Sequence, residues 1–416
     1  MSAARNYALV TAAYWGFTLT DGALRMLVLL HFHALGFSPV TLAFLFLFYE
    51  FFGVVTNLFG GLLAARLGLK VTLVSGLALQ VFSLGMLSLV QDRWGATRAV
   101  VWVMAAQALS GIAKDLTKMS AKTSVKVLVP EGEHGALFKW VALLTGSKNA
   151  LKGVGFFLGG FLLAALGFRG ALWAMGAALA LVLVGSMVSL PRELGRAKHK
   201  SKLSTLFSKS REVNVLSGAR FFLFAARDVW FVVGVPVFLS TSFHWGFTQV
   251  GTFLAVWVIG YGFVQSAAPA LIRRATHGAV PGGGAARGLA LLLAVVTAPV
   301  ALAVHAGHAP VVVVVGGLAV FGAVFALNSS VHSYLILAYS DGDKVALNVG
   351  FYYMANAGGR LVGSLLSGVL FQLGGVVACL CGSVAFALAT FVTSAALPGG
   401  HPALALDQLG DDAGGD

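Results

Sequence analysis

Apolar stretches of about twenty residues recur along almost the whole of this 416-residue chain. A membrane-spanning helix needs about 20 consecutive, mostly apolar residues. The chain is 58% apolar and only 10% charged, with a mean hydropathy of +0.88, whereas soluble domains carry about 25% charged residues. This composition excludes a water-soluble monomer of this size and predicts an all-α integral membrane protein.

The apolar runs, divided at glycines, prolines and charge clusters, predict twelve spans, near residues 7–35, 39–65, 70–91, 98–128, 136–166, 170–190, 213–241, 247–272, 288–305, 310–338, 345–373 and 375–396. The longest polar connection, 191–212, follows the sixth span and is strongly basic. We therefore expect two six-helix bundles, 1–190 and 213–397, joined by a cytoplasmic linker and followed by an acidic, disordered tail over 398–416.

The positive charges outside the spans predict the orientation of the chain. With both termini in the cytoplasm, seventeen Lys and Arg residues fall on the cytoplasmic side, and only Arg93, Arg98 and Arg169 fall outside. Cytoplasmic loops of membrane proteins carry such an excess, so most of the net charge of +13 reflects topology. No basic soluble domain remains to bind nucleic acid. Cys379 and Cys381 fit neither a disulfide framework nor a usual zinc pair, and the sequence predicts no metal or cofactor.

Apart from five bases near the ends of spans, which are counted with the loops, twelve charged residues are predicted to lie inside the spans. Each would cost about 2.5–3.5 kcal/mol if it faced lipid at the bilayer centre. The cost of the eight bases alone would exceed a typical folding stability of about 5–15 kcal/mol. We therefore expect these side chains to face an aqueous cavity, one another or a ligand. They are the bases Arg25, Lys114, Lys118, Lys148, Lys152, Arg220, Arg227 and Arg360, and the acids Asp21, Glu50, Asp115 and Asp228.

The bases recur at helical spacing, and they outnumber the acids. Lys114 and Lys118 lie four residues apart on one helix face, as do Lys148 and Lys152, and like charges at this spacing repel. Even if every acid pairs with one base, four positive charges remain. The pattern predicts a cavity for a multiply charged small anion such as a phosphate- or carboxylate-bearing metabolite. The candidate substrate contacts are Arg25, Lys114, Lys118, Lys148, Lys152, Arg227, Arg360, Asn149, Asn328, Tyr353 and Asn356.

Several of these residues have a second interpretation. Lys118 can snorkel to the inner surface, Arg220 can anchor or gate the cytoplasmic mouth, and Arg25 can form a structural pair with Asp21 at i, i+4. Glu50 is either a proton-titrating group or the partner of a neighbouring base. Interhelical hydrogen bonding is the alternative for the polar residues Asn328, Tyr353 and Asn356.

The loop between the second and third spans resembles the cytoplasmic signature of the major facilitator superfamily. That signature is Gly, three residues, Asp-Arg, one residue, Gly and two basic residues, and this chain matches it at Gly61, Arg66, Gly68 and Lys70. The resemblance implies a conformational gate at these positions, although Ala65 replaces the aspartate of the usual charge relay. It also implies the major facilitator fold, in which spans 3, 6, 9 and 12 face lipid. Those are spans without a charge here.

Longer strings resemble the ArsJ organoarsenical efflux permeases of that superfamily, notably AAQALSGIAKDLTKMSAK (Ala105–Lys122), KWVALLTGSKNALKGVGFFLGG (Lys139–Gly160) and FYYMANAGGRLVGSLLSG (Phe351–Gly368). The resemblance implies a transporter rather than an enzyme, in the bacterial inner membrane. Its implied substrate is 1-arseno-3-phosphoglycerate, which glyceraldehyde-3-phosphate dehydrogenase makes when arsenate replaces phosphate.

We expect alternating access with proton exchange. The candidate proton carriers are Asp21, Glu50, Asp115 and Asp228. The alternative function is a transporter or exchanger of ordinary organophosphates or organic anions.

Overall fold

The computed structural model describes residues 3–91, 93–128, 134–191, 210–275, 281–307, 311–339 and 345–399, and all regular elements in these ranges are helices. In chain order they are α1 (Ala3–Ala34), α2 (Pro39–Leu45), α3 (Leu47–Leu67), α4 (Leu69–Ser88), α5 (Ala96–Leu128), α6 (His134–Ser189), α7 (Arg211–Phe231), α8 (Gly234–Ser242), α9 (Phe247–Ala275), α10 (Gly283–His305), α11 (Val311–Ala338) and α12 (Val345–Ser394).

Nine stretches of the described chain are long and apolar enough to cross a membrane, and two of them run for 44 and 45 residues. A straight helix of 44 residues would be about 66 Å long, more than twice the hydrocarbon core of a bilayer. Gly167 interrupts α6 at φ 67, and Gly374 and Gly375 interrupt α12, so each of these helices accounts for two crossings. The nine stretches thus provide eleven crossings. Together with α1, which carries Asp21 and Arg25, they match the twelve predicted spans.

The seventh span is interrupted between α7 and α8, where the chain approaches Pro236. Proline lacks an N–H and displaces the carbonyl four residues earlier. The backbone N–H groups of Val233 and Gly234 donate instead to the hydroxyl of Ser367 on α12, at 3.2 and 3.0 Å. A serine hydroxyl thus pairs the donors that this interruption releases, as a span inside lipid requires.

The helices group into two compact units, of which the first contains the described residues up to 191 together with Pro236–Gly262. Its α1 and α6 touch backbone to backbone. A methyl group at Gly159 would lie 2.3 Å from the carbonyl oxygen of Ala23, and one at Gly155 would lie 2.5 Å from that of Leu19. Small residues allow this close approach between membrane helices, and it holds α6 in a defined register on α1.

The second unit contains the described residues of 210–235 and those from Phe263 onward. In this unit α12 packs on α7 through the same kind of close contact at two glycines. A methyl group at Gly359 would lie 2.0 Å from the carbonyl oxygen of Phe221, and one at Gly363 would lie 3.0 Å from that of Ala225. In each unit, a glycine pair four residues apart sets the distance between two charge-bearing helices.

The predicted spans that carry no charge expose large apolar side chains. Phe82 on α4, Leu181 on α6, Leu302 on α10 and Val392 on α12 are all more than half exposed. Such side chains suit lipid contact, and spans that carry charges also expose some, such as Val101 on α5 and Leu373 on α12. Most of the predicted linker and tail lies outside the described residues, and the boundaries of the two predicted bundles stay predictions.

Candidate functional site

In the first unit, Arg25 on α1 forms an ion pair with Glu50 on α3. Its guanidinium also lies over the rings of Phe46 and Tyr49, at 5.3 and 5.2 Å from their centroids, a cation–π arrangement. Both charged side chains are buried. Glu50 is thus the partner of a neighbouring base, and its role as a proton carrier stays a prediction.

The predicted pair between Asp21 and Arg25 is wrong. The Tyr49 hydroxyl donates to Oδ1 of Asp21 at 2.6 Å, while Arg25 pairs with the carboxylate of Glu50 on α3. Spacing within α1 permits the pair, but adjacent residues on α3 offer each charge a separate partner. Tyr49 therefore organises this part of the site, a role that no motif in the sequence signals.

A second buried group surrounds Asp115 on α5. Lys118 donates to Oδ1 of Asp115 and to Oδ1 of Asn57, both at 2.6 Å, whereas Lys114 Nζ lies 4.0 Å from Oδ2 of Asp115. Lys114 also lies 4.1 Å above the Tyr49 ring. Lys118 is thus part of the cluster rather than a surface anchor, and Asp115 hydrogen-bonds Lys118 but not Lys114.

The α6 candidates Lys148, Asn149 and Lys152 are half-buried. Lys152 Nζ lies 5.8 Å from the centroid of the Phe156 ring. The backbone carbonyl of Lys152 would be 2.7 Å from a methyl group at Gly22, directly after Asp21. The close contact between α1 and α6 therefore holds Lys152 at the same level as Asp21.

In the second unit, Asp228 on α7 is fully buried and contacts two arginines. Arg227 lies 2.5 Å from its Oδ1 atom, and Arg360 on α12 lies 3.2 Å from its Oδ2 atom. The Arg227 guanidinium also lies 4.9 Å from the centroid of the Phe224 ring and 5.3 Å from that of Phe325. Two cations share one carboxylate, which leaves this cluster with a net positive charge.

The remaining candidates of the second unit lie around Arg220 on α7. Arg220 donates to the backbone oxygen and the hydroxyl of Ser329, both at 3.1 Å. Neighbouring Asn328 is fully buried. On α12, the Tyr353 ring lies 5.5 Å from that of Tyr352, and Oδ1 of Asn356 accepts no hydrogen bond from the described chain.

Each unit contains more bases than acids within its predicted spans. The first has five bases and three acids, and the second has three bases and one acid. Within the described residues, no group of three His, Cys, Asp or Glu side chains is arranged to hold a metal ion. The arrangement suits the binding of anions through Lys and Arg side chains.

The sequence model of the Major Facilitator Superfamily matches residues 8–328. The chain belongs to the major facilitator superfamily. Among solved structures, a mutant of the nucleoside transporter NupG is similar in fold, with a TM-score of 0.70 over 93% of this chain and 97% of that one. The two sequences are 15% identical. A search of curated proteins finds no match. The predicted fold is confirmed, and the chain is a multi-pass secondary transporter.

The major facilitator signature loop is described in part. Gly68 joins α3 to α4 at φ 83, a conformation that favours glycine. Lys70 donates to the backbone oxygens of Met187 and Leu190, at 2.7 and 2.5 Å, so it caps the end of α6. Gly61 and Arg66 lie on α3, the side chain of Arg66 lies outside the part that the structure describes, and the gating role of all four positions stays a prediction.

Proposed function

We propose that this major facilitator protein exports a small organic polyanion from the cytoplasm, and that the polyanion is 1-arseno-3-phosphoglycerate. The observation that carries this proposal is the surplus of positive charge within the predicted spans, two in each unit. Charge within a membrane span is costly unless it is compensated. A ligand with several oxyanion groups supplies that compensation.

The substrate's chemistry fits the side chains available. Phosphate and arsenate groups accept charge-assisted hydrogen bonds from Lys and Arg, and arginine binds such groups in a bidentate manner. In the first unit we assign this role to Lys114, Lys148 and Lys152, with Arg25 as a lesser contact because Glu50 already pairs with it. The choice of an arsenical rests on the resemblance of the α5 and α6 strings to the organoarsenical permeases.

In the second unit we assign Arg227 and Arg360 to the substrate. They share the carboxylate of Asp228, and the three side chains together carry one net positive charge, which suits an anion. The side chains of Arg227 and Arg360 are 16% and 18% exposed, whereas that of Asp228 is 1% exposed. The two cations therefore remain accessible while the acid that orients them is enclosed.

Proton exchange would drive the export, with Asp21 as the preferred carrier. Glu50, Asp115 and Asp228 each contact a base, so protonating any of them breaks an ion pair. Asp21 is buried and accepts a hydrogen bond from Tyr49, and no base of the described chain lies within 4.0 Å of it. Protonation of Asp21 therefore disrupts no ion pair.

We place the protein in the bacterial inner membrane with both termini in the cytoplasm. Glyceraldehyde-3-phosphate dehydrogenase would be its functional partner, because that enzyme makes the arsenical when arsenate replaces phosphate. Hydrolysis of the acyl-arsenate outside the cell would make export irreversible in practice. The result would be resistance to arsenate.

The test is uptake of enzymatically made 1-arseno-3-phosphoglycerate into everted membrane vesicles, followed by its arsenic content, with and without a pH gradient. We expect uptake with the wild type and none with Lys152→Glu or Arg360→Glu at equal protein levels. Arg98→Gln is the matched control, because Arg98 is exposed and lies over Trp94 at 4.2 Å. Unchanged uptake in both charge-reversal variants would contradict the assignment.

The same vesicles test the alternative function. Uptake of labelled 3-phosphoglycerate in the absence of arsenic, at a rate equal to that of the arsenical, would favour a general organophosphate transporter or exchanger. A nucleoside, the cargo named for the similar NupG structure, carries no anionic group. It would leave the positive surplus of both units uncompensated.

A further inference from the structure

Arg220 is a buried cation that no carboxylate of the described chain compensates. It is 4% exposed, and its Nη1 atom donates to the backbone oxygen and the hydroxyl of Ser329. The rings of Phe224 and Tyr352 flank it, with centroids at 4.2 and 5.0 Å. Its Nε atom has no hydrogen-bond partner among the described residues. A guanidinium in this setting requires a counter-charge.

Two fully buried polar side chains lie beside it on α11. Asn328 and His332 are one helical turn apart, both 0% exposed, and neither amide atom of Asn328 nor either ring nitrogen of His332 has a partner in the described chain. Ser329, which lies between them in sequence, accepts hydrogen bonds from Arg220 through its backbone oxygen and its hydroxyl. Buried polar groups are almost always paired, so this set is arranged for a bound group.

The chemistry of the set indicates what that group is. The amide of Asn328 provides two N–H donors and one acceptor oxygen, and a neutral His332 provides one donor and one acceptor. A bare oxyanion only accepts and would leave the acceptors unpaired, whereas a hydroxyl both donates and accepts. Arg220 supplies the positive charge for an anionic group next to that hydroxyl.

We propose that Arg220, Asn328 and His332 form a binding site for a hydroxyl-bearing organic anion, with the anionic group on Arg220 and the hydroxyl on Asn328 and His332. Arg220 and Arg227 are seven residues apart on α7, about 10 Å along the helix, so the site is separate from the Asp228 cluster. The inference deepens the proposed function by naming the part of the ligand that is recognised, and it rests on that function only for the claim that the ligand is transported.

The test measures equilibrium binding to the purified full-length protein in detergent by isothermal titration calorimetry. The probes are 3-phosphoglycerate and its 2-deoxy analogue, which has the same length and charge but no hydroxyl. We expect the wild type to bind 3-phosphoglycerate at least about tenfold more tightly, since a buried site that loses one hydrogen-bonding partner discriminates strongly. Equal affinities, or no binding of 3-phosphoglycerate, would overturn the site.

Asn328→Leu replaces both polar amide atoms with methyl groups on a side chain of the same branching, and we expect it to reduce the affinity ratio to about one. Thr390→Val is the matched control, because Thr390 is fully buried and donates only to Phe386 within its own helix. The variant should keep the wild-type ratio. A wild-type ratio in Asn328→Leu would overturn the proposal.

Thermal unfolding without ligand distinguishes a binding role from a structural one. Because Asn328 has no hydrogen-bond partner in the described chain, Asn328→Leu should unfold at the same temperature as the wild type or higher. A markedly lower unfolding temperature, with the affinity ratio intact, would assign Asn328 to folding instead. If the ratio depends on Asn328 while the vesicles take up no arsenical, the site stands and the proposed function fails.

Discussion

Oδ2 of Asp228 on α7 accepts a hydrogen bond from Nε of Arg360 on α12 at 3.2 Å, although 132 positions separate the two residues. The other oxygen of the same carboxylate is held by Arg227. The glycines at 359 and 363 bring α12 against α7 at this level. A helix contact made by small residues thus places two cations on one acid, and these three side chains together carry one net positive charge.

Removing the acid should therefore harm the fold more than removing one base. Asp228→Asn leaves two half-buried arginines together, and the loss of one partner of a buried ion pair costs about 3–5 kcal/mol. Arg360→Gln leaves the neutral pair of Asp228 and Arg227. We expect the midpoint of thermal unfolding in detergent to fall much further in Asp228→Asn, while both variants lose uptake of the arsenical. A lower midpoint in Arg360→Gln would contradict this charge balance.

Substitution of Asp21 should separate proton coupling from folding. Asp21→Asn breaks no ion pair of the described chain and keeps an acceptor for the Tyr49 hydroxyl, so we expect a near wild-type unfolding temperature. Uptake driven by a pH gradient should be lost, whereas exchange of labelled for unlabelled substrate should persist. Glu50→Gln is the contrasting variant, because it leaves Arg25 buried without its partner and should destabilise the protein. Gradient-driven uptake by Asp21→Asn would exclude Asp21 as the carrier.

The contact between α1 and α6 should not tolerate a single methyl group. In Gly159→Ala the new group meets the Ala23 carbonyl oxygen at 2.3 Å, and overpacking of this kind costs about 1–3 kcal/mol. Gly176 lies on the same helix with no other group within 4 Å of an added methyl. Gly176→Ala should leave stability unchanged or raise it by up to about 1 kcal/mol through helix propensity. Equal unfolding midpoints for the two variants would show that α1 and α6 are not in close contact.

Lys70 should contribute to stability independently of gating. Its ammonium group donates to two carbonyl oxygens at the end of α6, where a positive charge also complements the helix dipole. Lys70→Met should lower the stability by about 1–2 kcal/mol, because the group is partly exposed and hydrogen bonds to charged groups contribute about 1.5–3 kcal/mol when buried. Lys70→Arg, which keeps the charge and donors, should recover most of the loss in unfolding midpoint. A Met variant as stable as the wild type would leave Lys70 with the gating role alone.

The sequence predicts contacts between residues of one helix well and contacts between different helices poorly. Helical spacing places Lys118 one turn from Asp115, and the structure confirms the pair because both residues lie on one rigid helix. The same reasoning fails for Asp21 and Arg25, since Tyr49 and Glu50 on α3 compete for them.

The spacing of residues along the chain does not predict contacts between helices that are far apart in sequence. The pair of Asp228 with Arg360 depends on where α12 packs, and the setting of Arg220 depends on the side chains that α11 brings to it. The number of spans, by contrast, follows from apolar length alone. Even the breaks at Gly167 and Gly374 fall between predicted spans, because glycine tolerates the backbone angles that end one crossing and begin the next.

Gly167 joins two membrane crossings with almost no connecting chain, and nearby Arg169 donates to the backbone oxygen of Val90 at 3.0 Å. Such a short connection keeps the ends of the two helices close together. The fifth and sixth spans cannot separate at that end by more than the length of one or two residues. They must therefore insert into the bilayer as a hairpin and move together in any transport cycle. The same holds for the last two spans, tied at Gly374 and Gly375.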